Sequence, residues 1–547
     1  MKNWRINLVL ILFLFISATV ISRLVFLQIL EGDLNKALSQ GLFASFNELQ
    51  GERGEVFFKN GEPLAINVDL PFIFVNPRKI ENPEQTSLVL SQILDLDKDF
   101  LLEKLTNSSS YSLIKRKLSM YEAEQIQDLN LEGVFVNEQK ERYYPQEKLA
   151  SQIIGFLGAE GMGQYGLEQF YDKTLRGEES FLENKKGADL ILTIDYKIQY
   201  QAEKLLEKAK EDLAAEGGQI IVIEPDSGRI LAMADMRGFD PNYYEEYAKQ
   251  GNLDIFKNRA SQELFEPGSV FKSITMAAAL EEEKVTPKTT YTDTGSVTIG
   301  SDTIYNYDKR VYEHNPSMTE VLEKSINTGA IFVQRELGPN LFLKYVDEFG
   351  LFELSGIDFQ EIYSQNNPLR TARDINLATA SFGQGVEMTP VQLIRAYCAL
   401  ANGGKLITPY LVEEIVSSDG KIENLAKDKK QKSVISSKAA SQLTAMLVSV
   451  VENPFAKAAK IPGYFIAGKT GTAQVSFAAL GIDKKGYSKE KTIQTFVGFA
   501  PAFSPEFLTL IKLDNPQTKT AEYSTVPVFR DLAEYMINYY QIPPDYE

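Results

Sequence analysis

Glu266-Pro267-Gly268-Ser269-Val270-Phe271-Lys272 runs without a break into Ser273-Ile274-Thr275-Met276-Ala277-Ala278-Ala279-Leu280. Pro267-Gly268 spells a turn, and the apolar run after it predicts a buried helix. Ser269 therefore stands at a helix start. Free backbone N–H groups and the positive end of the macrodipole favour developing negative charge there. Lys272 follows one helical turn later, on the same face as Ser269. Burial at the start of an apolar helix disfavours a charged lysine, which suits a neutral amine base beside a serine nucleophile. The plain alternative is an N-capping serine with a lysine that pairs Glu281-Glu282-Glu283. Lys272 is too far from that run for i,i+4 pairing. Ser-x-x-Lys alone, however, recurs by chance in many sequences.

The scarcity of two residue types narrows the chemistry. The chain holds one histidine, His314, between Glu313 and Asn315 in what reads as a polar loop. A Ser-His-Asp triad would have to use it, and a zinc site would need nearly all its ligands from elsewhere. The base of an enzyme built on this chain is therefore not expected to be histidine. No metal or cofactor site is expected. The single cysteine, Cys398, lies in the apolar run Ile394–Leu400 and reads as core packing; no intramolecular disulfide can form. The formal net charge of -17 opposes nucleic-acid binding, which depends on cations that neutralise phosphates.

Two further motifs lie downstream. Ser325-Ile326-Asn327 follows a predicted helix over 319–324, and Lys469-Thr470-Gly471-Thr472 follows the strand-like Tyr464-Phe465-Ile466-Ala467-Gly468. The order Ser-x-x-Lys, Ser-x-Asn, Lys-Thr-Gly, at domain-scale spacing, is the order found in penicillin-recognising serine enzymes. Each part has a task. Ser325 passes a proton between Lys272 and Lys469 or the leaving amine. Asn327 offers a two-sided amide to a substrate amide. Lys469, Thr470 and Thr472 offer a cation and two hydroxyls to a substrate carboxylate. The backbone N–H groups of Ser269 and Thr472 form the expected oxyanion hole.

Around these motifs the 547 residues, 44% hydrophobic and 24% charged, predict two to four globular domains. A unit opens near Asp189 with a strand over 190–194 and a helix over 197–214. The strand 219–223 then turns at Pro225-Asp226-Ser227-Gly228 into 229–234, a hairpin by its turn chemistry. Two more strands, 495–500 and 508–513, precede a last helix over 528–539. Strands at both ends with helices between them predict an α+β unit: one antiparallel sheet closed by its two termini and flanked by helices.

Residues 31–185 read as a separate, non-catalytic domain. A strand over 51–58 runs into an Asn60-Gly61 turn, and amphipathic helices fall within 88–129. The glycines between Gly155 and Gly166 read as a structural loop, because no Lys-Ser/Thr follows them as in a phosphate cradle. Ile6 to Ser22 carries no charge, and an apolar pattern resumes after Arg23. That predicts a membrane anchor and juxtamembrane helix over 6–30. With Lys2 and Arg5 before it, residues 1–5 form a short tail inside, and everything after about residue 30 lies outside the cytoplasmic membrane. Arg23-Leu24-Val25 makes a poor signal-peptide cleavage site, so the anchor is expected to stay.

With these residues in view, the chain resembles the class B penicillin-binding proteins, the monofunctional peptidoglycan D,D-transpeptidases. The resemblance covers nearly the whole length. It includes Arg53-Gly54 with Asn60-Gly61, Arg142-Tyr143-Tyr144-Pro145, Gly163-x-x-Gly166-Leu167-Glu168 and Asn258-Arg259-Ala260. It continues through Phe382-Gly383-Gln384-Gly385, Thr389-Pro390-x-Gln392 and Phe496-Val497-Gly498-Phe499-Ala500-Pro501. It implies an elongated pedestal over 31–185 and a transpeptidase domain of the penicillin-recognising type over 186–547. It also implies an acyl-enzyme on Ser269, formed from stem peptides or β-lactams. Ser269, Lys272, Ser325, Asn327 and Lys469 would be catalytic, and Thr470, Gly471 and Thr472 would bind substrate. The short pedestal and the compact segment after Lys469 look more like the division type than the elongation type. That type implies a lipid-linked-glycan polymerase and other divisome proteins as partners, met through residues 6–30 and the segment around Arg53. Phe57-Phe58-Lys59 departs from the acidic-basic pair frequent in the family, which touches the pedestal and not the chemistry.

Three rivals share the scaffold. A secreted β-lactamase or carboxypeptidase would lack the pedestal. A β-lactam sensor would carry more membrane spans or a cytoplasmic effector. A non-enzymatic division scaffold would have no use for the complete set of Ser269, Lys272, Ser325, Asn327 and Lys469.

Overall fold

A computed structural model describes residues 52–177 and 186–546, apart from residues 366, 372, 429–430, 454–455 and 485, together with six positions between Phe13 and Val20. Those six are helical and exposed. The anchor expected over 6–30 otherwise lies outside the described residues. Among the described residues, no helix is long and apolar enough to cross a membrane.

The chain forms two compact units. One comprises residues up to 53, 66–143 and 178–185; the other comprises 54–65, 144–177 and 186–547. In the smaller unit the strand Pro63–Val75, from Ile66 onward, pairs antiparallel with Val134–Tyr143. Ser112–Lys115 pairs with its far end. The helix Pro83–Leu94 begins before the expected 88–129, at a proline capped by Asn82, while the helices Lys98–Thr106 and Met120–Leu129 fall within it. Their buried Leu90, Leu94, Leu101, Leu105 and Ile126 close a core with Ile73, Val75 and Ile114. Ser119 and Glu122 form a reciprocal capping box at the third helix.

The larger unit is built on a five-stranded sheet. The elements that frame the site include, in chain order, helix α1 (Tyr196–Leu213), strands β1 (Gly217–Ile223) and β2 (Ile230–Asp235), and helices α2 (Lys272–Glu281), α3 (Met318–Glu323) and α4 (Asn327–Glu348). Strands β3 (Ala467–Ser476), β4 (Tyr487–Ala500) and β5 (Phe507–Asp514) and helix α5 (Thr525–Tyr540) follow. The sheet order is β3-β4-β5-β1-β2, antiparallel throughout. Its first and last strands in sequence therefore meet at β1 and β5, and the helical segment between β2 and β3 is an insertion, as the strand distribution predicts. All seven residues of β1 are buried, which marks a strand covered on both faces.

The strand near residue 190 goes elsewhere. Asp189–Leu192 pairs parallel with Val56–Phe57 and antiparallel with Val412–Val416, in a different sheet from β1–β5. Its alternating burial fits a sheet with one covered face. The glycines of 155–166 serve close packing: a Cβ on Gly163 would stand 1.8 Å from Glu168 O. Cys398 is buried in the core, as expected.

Candidate active site

Ser269 sits in a 3-10 turn, Gly268–Phe271, that leads directly into α2. Every residue from Lys272 to Leu280 is buried, so the helix that starts with Lys272 is a core helix. The turn itself is clamped by backbone. Gly268 N–H donates to Gly383 O at 3.0 Å. A Cβ on Gly383, whose φ is +78°, would stand 2.2 Å from Gly268 O. On the other side a Cβ on Gly471 would meet Pro267 O at 3.0 Å, and one on Gly268 would meet Ala473 Cβ at 3.1 Å. Strand β3 and the Gly383 loop thus hold the Ser269 turn between them, and glycine allows the approach. Buried Tyr397 fixes the next turn: its Oη donates to Val270 O at 2.6 Å and lies 3.0 Å from Ser273 Oγ. Ser269 is half-buried, and its hydroxyl makes no hydrogen bond among the described residues.

The three motifs converge. Lys272 Nζ donates to Ser325 O at 2.6 Å and to Asn327 Oδ1 at 2.8 Å, and it lies 3.2 Å from Ser325 Oγ. Lys469 Nζ reaches the same Ser325 Oγ at 3.1 Å, and Thr470 O at 3.1 Å. Both lysine side chains are fully buried. Burial, and then the charge of Lys469, hold Lys272 well below the ordinary lysine range. Burial brings Lys469 down to about 7. Two buried amines with no carboxylate between them cannot both stay charged cheaply.

Ser325 owes its reach to an unusual backbone. It follows α3 with φ +52°, a left-handed conformation that glycine normally supplies at this place. Ile326 N–H returns to Val321 O at 2.9 Å, which closes the helix end. The turn places both the carbonyl and the hydroxyl of Ser325 on Lys272. Asn327 then opens α4. Its Nδ2 donates to Tyr305 O at 3.0 Å, so both ends of the amide are already engaged within the protein. Thr470 and Thr472 alternate with Lys469, Gly471 and Ala473 along β3, and Thr472 Oγ1 accepts from Ala521 N at 3.3 Å. β3 is the terminal strand of its sheet, so one of its edges has no strand partner among the described residues.

Two readings outside the motifs also meet the structure. His314 is exposed and hydrogen-bonds Glu320 Oε1 at 2.8 Å, outside the Lys272 cluster. Glu266 directly precedes Pro267-Gly268 and carries no role in the three motifs. Its carboxylate accepts from Tyr487 Oη at 3.1 Å. Burial pushes its carboxyl up to about 7, against the hydrogen bonds from Tyr487 and the Gly385 N–H, with Glu387 adding to the rise. A lone acidic residue directly before Pro-Gly at a helix start was the available signal. Nothing local revealed that it would be buried.

Residues 218–534 match the family of the penicillin binding protein transpeptidase domain, and residues 48–190 match that of the penicillin-binding protein dimerisation domain. The chain is 32% identical over 525 residues to stage V sporulation protein D of Bacillus subtilis, covering 91% of this chain and 79% of that one. It is 30% identical over 585 residues to the peptidoglycan D,D-transpeptidase FtsI of Buchnera aphidicola subsp. Baizongia pistaciae, covering 99% and 96%. Among solved structures, apo-form penicillin binding protein 3 of Mycobacterium tuberculosis matches with a TM-score of 0.72 at 25% identity, over 90% of this chain and 97% of that one.

Proposed function

We infer the reaction from one premise: this chain belongs to the family of penicillin-binding protein transpeptidases. It is a serine-type peptidoglycan D,D-transpeptidase and a β-lactam target. The observation that carries the assignment of roles is the convergence of Lys272, Ser325, Asn327 and Lys469 beside the turn that presents Ser269.

Lys272 is the base. A neutral amine has two N–H bonds and one lone pair. Ser325 O and Asn327 Oδ1, both obligate acceptors here, take the two N–H bonds. The lone pair is left for a hydroxyl proton. Ser269 Oγ gives its proton to Lys272 Nζ as it bonds to the carbonyl carbon of the penultimate D-Ala. Backbone N–H groups of Ser269 and Thr472 receive the oxyanion. Collapse breaks the C–N bond, and the terminal D-Ala leaves with a proton relayed through Ser325, which lies between the two amines. An acceptor amine from a neighbouring strand attacks the ester, loses its proton by the same route in reverse, and frees Ser269. The free edge of β3 suits an extended peptide, whose backbone can add as a further strand. Lys469, Thr470 and Thr472 then meet its terminal carboxylate. That carboxylate would favour the charged form of Lys469, whose pKa burial brings down to about 7.

The test is intact-protein mass spectrometry after incubation with a penicillin. One adduct is expected, on Ser269, and none in Ser269→Ala. An adduct on Ser325, or an undiminished one in the variant, sinks the assignment.

We place the chain in the cytoplasmic membrane, N-terminus inside, with the catalytic unit outside, working at the division septum with a lipid-linked-glycan polymerase. The uncharged run 6–22 and the resemblance to division-type enzymes support this. A protease added to intact spheroplasts should digest the catalytic unit, and polymerase co-purification should be lost when residues 1–53 are exchanged for an unrelated anchor. Protection of the unit, or retained co-purification, counts against each claim in turn. The relative named for sporulation favours a second setting for the same reaction, sporulation. A deletion strain that divides normally but forms defective spores would select it.

A further inference from the structure

Asn327 poses a problem that its own contacts do not solve. A carboxamide can turn over and exchange its oxygen for its nitrogen with little change of shape. In the observed orientation Oδ1 faces Lys272 Nζ and Nδ2 faces Tyr305 O. The reverse orientation would put an N–H on the lone pair of Lys272 and an oxygen against the Tyr305 carbonyl. Only a fixed distance between Asn327 and Tyr305 excludes it, and those residues belong to different segments of the chain.

Buried groups behind the site supply that distance. Asp293, 5% exposed, accepts four sets of hydrogen bonds. Thr328 Oγ1 donates at 2.7 Å, Asn306 Nδ2 at 3.1 Å to each oxygen, Tyr312 N at 2.8 Å and Gly295 N at 3.1 Å. Asn306 Oδ1 in turn accepts from Thr328 N at 3.0 Å and lies 3.0 Å from Thr328 Oγ1, whose one proton goes to Asp293. Tyr291 Oη, 2.9 Å from Thr328 Oγ1, completes the hydroxyl's bonds. Thr328 directly follows Asn327, and Asn306 directly follows Tyr305. The residues adjoining both partners of the Asn327–Tyr305 bond are thus tied to one carboxylate. Although burial opposes it, the hydrogen bonds from Thr328, Tyr312, Gly295 and Asn306 hold Asp293 below the usual carboxylate range, so it stays an acceptor on every side.

We propose that Asp293, with Asn306 and Thr328, is a positioning cluster that fixes the orientation of the Asn327 amide and thereby leaves the Lys272 lone pair open toward Ser269. The proposal rests on the reading of Lys272 as the base. All three are buried. Their action runs through Asn327.

Asp293→Asn tests it. The new amide brings a donor into a ring of donors, so at least one contact fails and the Asn306–Thr328 tie loosens. Once Asn327 can turn over, its N–H caps the lone pair. The first expected result is a 10- to 100-fold slower acylation step, about the cost of misplacing a catalytic group, while reversible β-lactam affinity changes little. The second is a change in pH profile. Donation to the neutral amine, and loss of an acceptor for the ammonium, both lower the Lys272 pKa, so the acid limb of acylation moves to lower pH, by about one unit for one hydrogen bond. The charged and titratable groups around this region are Lys469, across Ser325, and Asp293 and Tyr291 behind Asn327. A merely structural cluster would lower thermal stability and leave the limb in place.

If Asp293→Asn does not fold, Thr328→Val decides, because it removes only the hydroxyl tie; Thr328→Ser should recover most of what Thr328→Val loses. A limb superimposable on wild type in Asp293→Asn or Thr328→Val, at any stability, overturns the proposal. If Lys272→Ala acylates at the wild-type rate, the lysine-base reading has failed instead, so the two failures are distinct.

Discussion

Replacing Lys469 by methionine keeps a buried unbranched side chain and removes one cation. Ser325 Oγ is 3.2 Å from Lys272 Nζ and 3.1 Å from Lys469 Nζ, so the two amines lie within about 6 Å of each other. At that separation two unit charges repel by about 3 kcal/mol with an effective dielectric constant of 20, equivalent to about two pKa units. Lys469 is itself about half-charged near pH 7, which dilutes the repulsion. The net shift expected for Lys272 is about one unit. Burial lowers the Lys272 pKa and the Lys469 charge lowers it further, so removing that charge raises it. More Lys272 is then protonated at any given pH, and the acid limb of acylation moves to higher pH. Below the limb, acylation of Lys469→Met should be about tenfold slower for that reason alone. The assay is stopped-flow acylation by a chromogenic β-lactam across about pH 5 to 9. A carboxylate-blocked β-lactam run in parallel separates this effect from lost carboxylate binding. A limb that stays in place or moves to lower pH would refute the coupling between the two amines.

Two further outcomes follow from the geometry. Ser325→Gly removes a left-handed serine at φ +52° along with the relay hydroxyl; thermal melts should show unchanged stability or a gain of up to about 1 kcal/mol, while penicillin labelling slows by about 10²–10⁴-fold. A clear loss of stability with normal labelling contradicts both halves. Glu203 accepts from Ala150 N and Gln199 Nε2, each at 2.8 Å, and burial, opposed by those bonds, raises it from 4.5 to about 7. The folded state therefore holds a proton that the unfolded chain has lost between those values, and stability falls as pH rises through that window, by on the order of 3 kcal/mol. Glu203→Gln should flatten that fall, so denaturation at about pH 5 and pH 8 should show the variant gaining on wild type only at the higher value. An equal difference at both pH values would discount the buried carboxyl.

Much of the site was legible because its first relation is local. Ser269 and Lys272 are three residues apart, and the apolar run after them predicted the buried helix whose burial depresses the lysine. The hairpin of β1 and β2 was written in Pro225-Asp226-Ser227-Gly228, and the meeting of early and late strands followed from their distribution along the chain.

What needed the tertiary structure lies at longer range or in backbone geometry. No propensity places Ser325 in a left-handed conformation; the end of α3 against Lys272 does so. Nothing near Asn327 in sequence fixes which end of its amide meets the amine, because Tyr305, Asn306 and Asp293 arrive from another segment. The burial of Glu266 depends on Tyr487, more than 200 residues later. A single cut near residue 185 was the simplest division of the sequence, yet residues 54–65 and 144–177 pack with the catalytic unit. Period and spacing encode what a residue faces within its own turn or strand. Which distant residue stands opposite it is settled only when the sheet closes and the core packs, since those contacts are selected by the burial of the whole chain and leave no local mark.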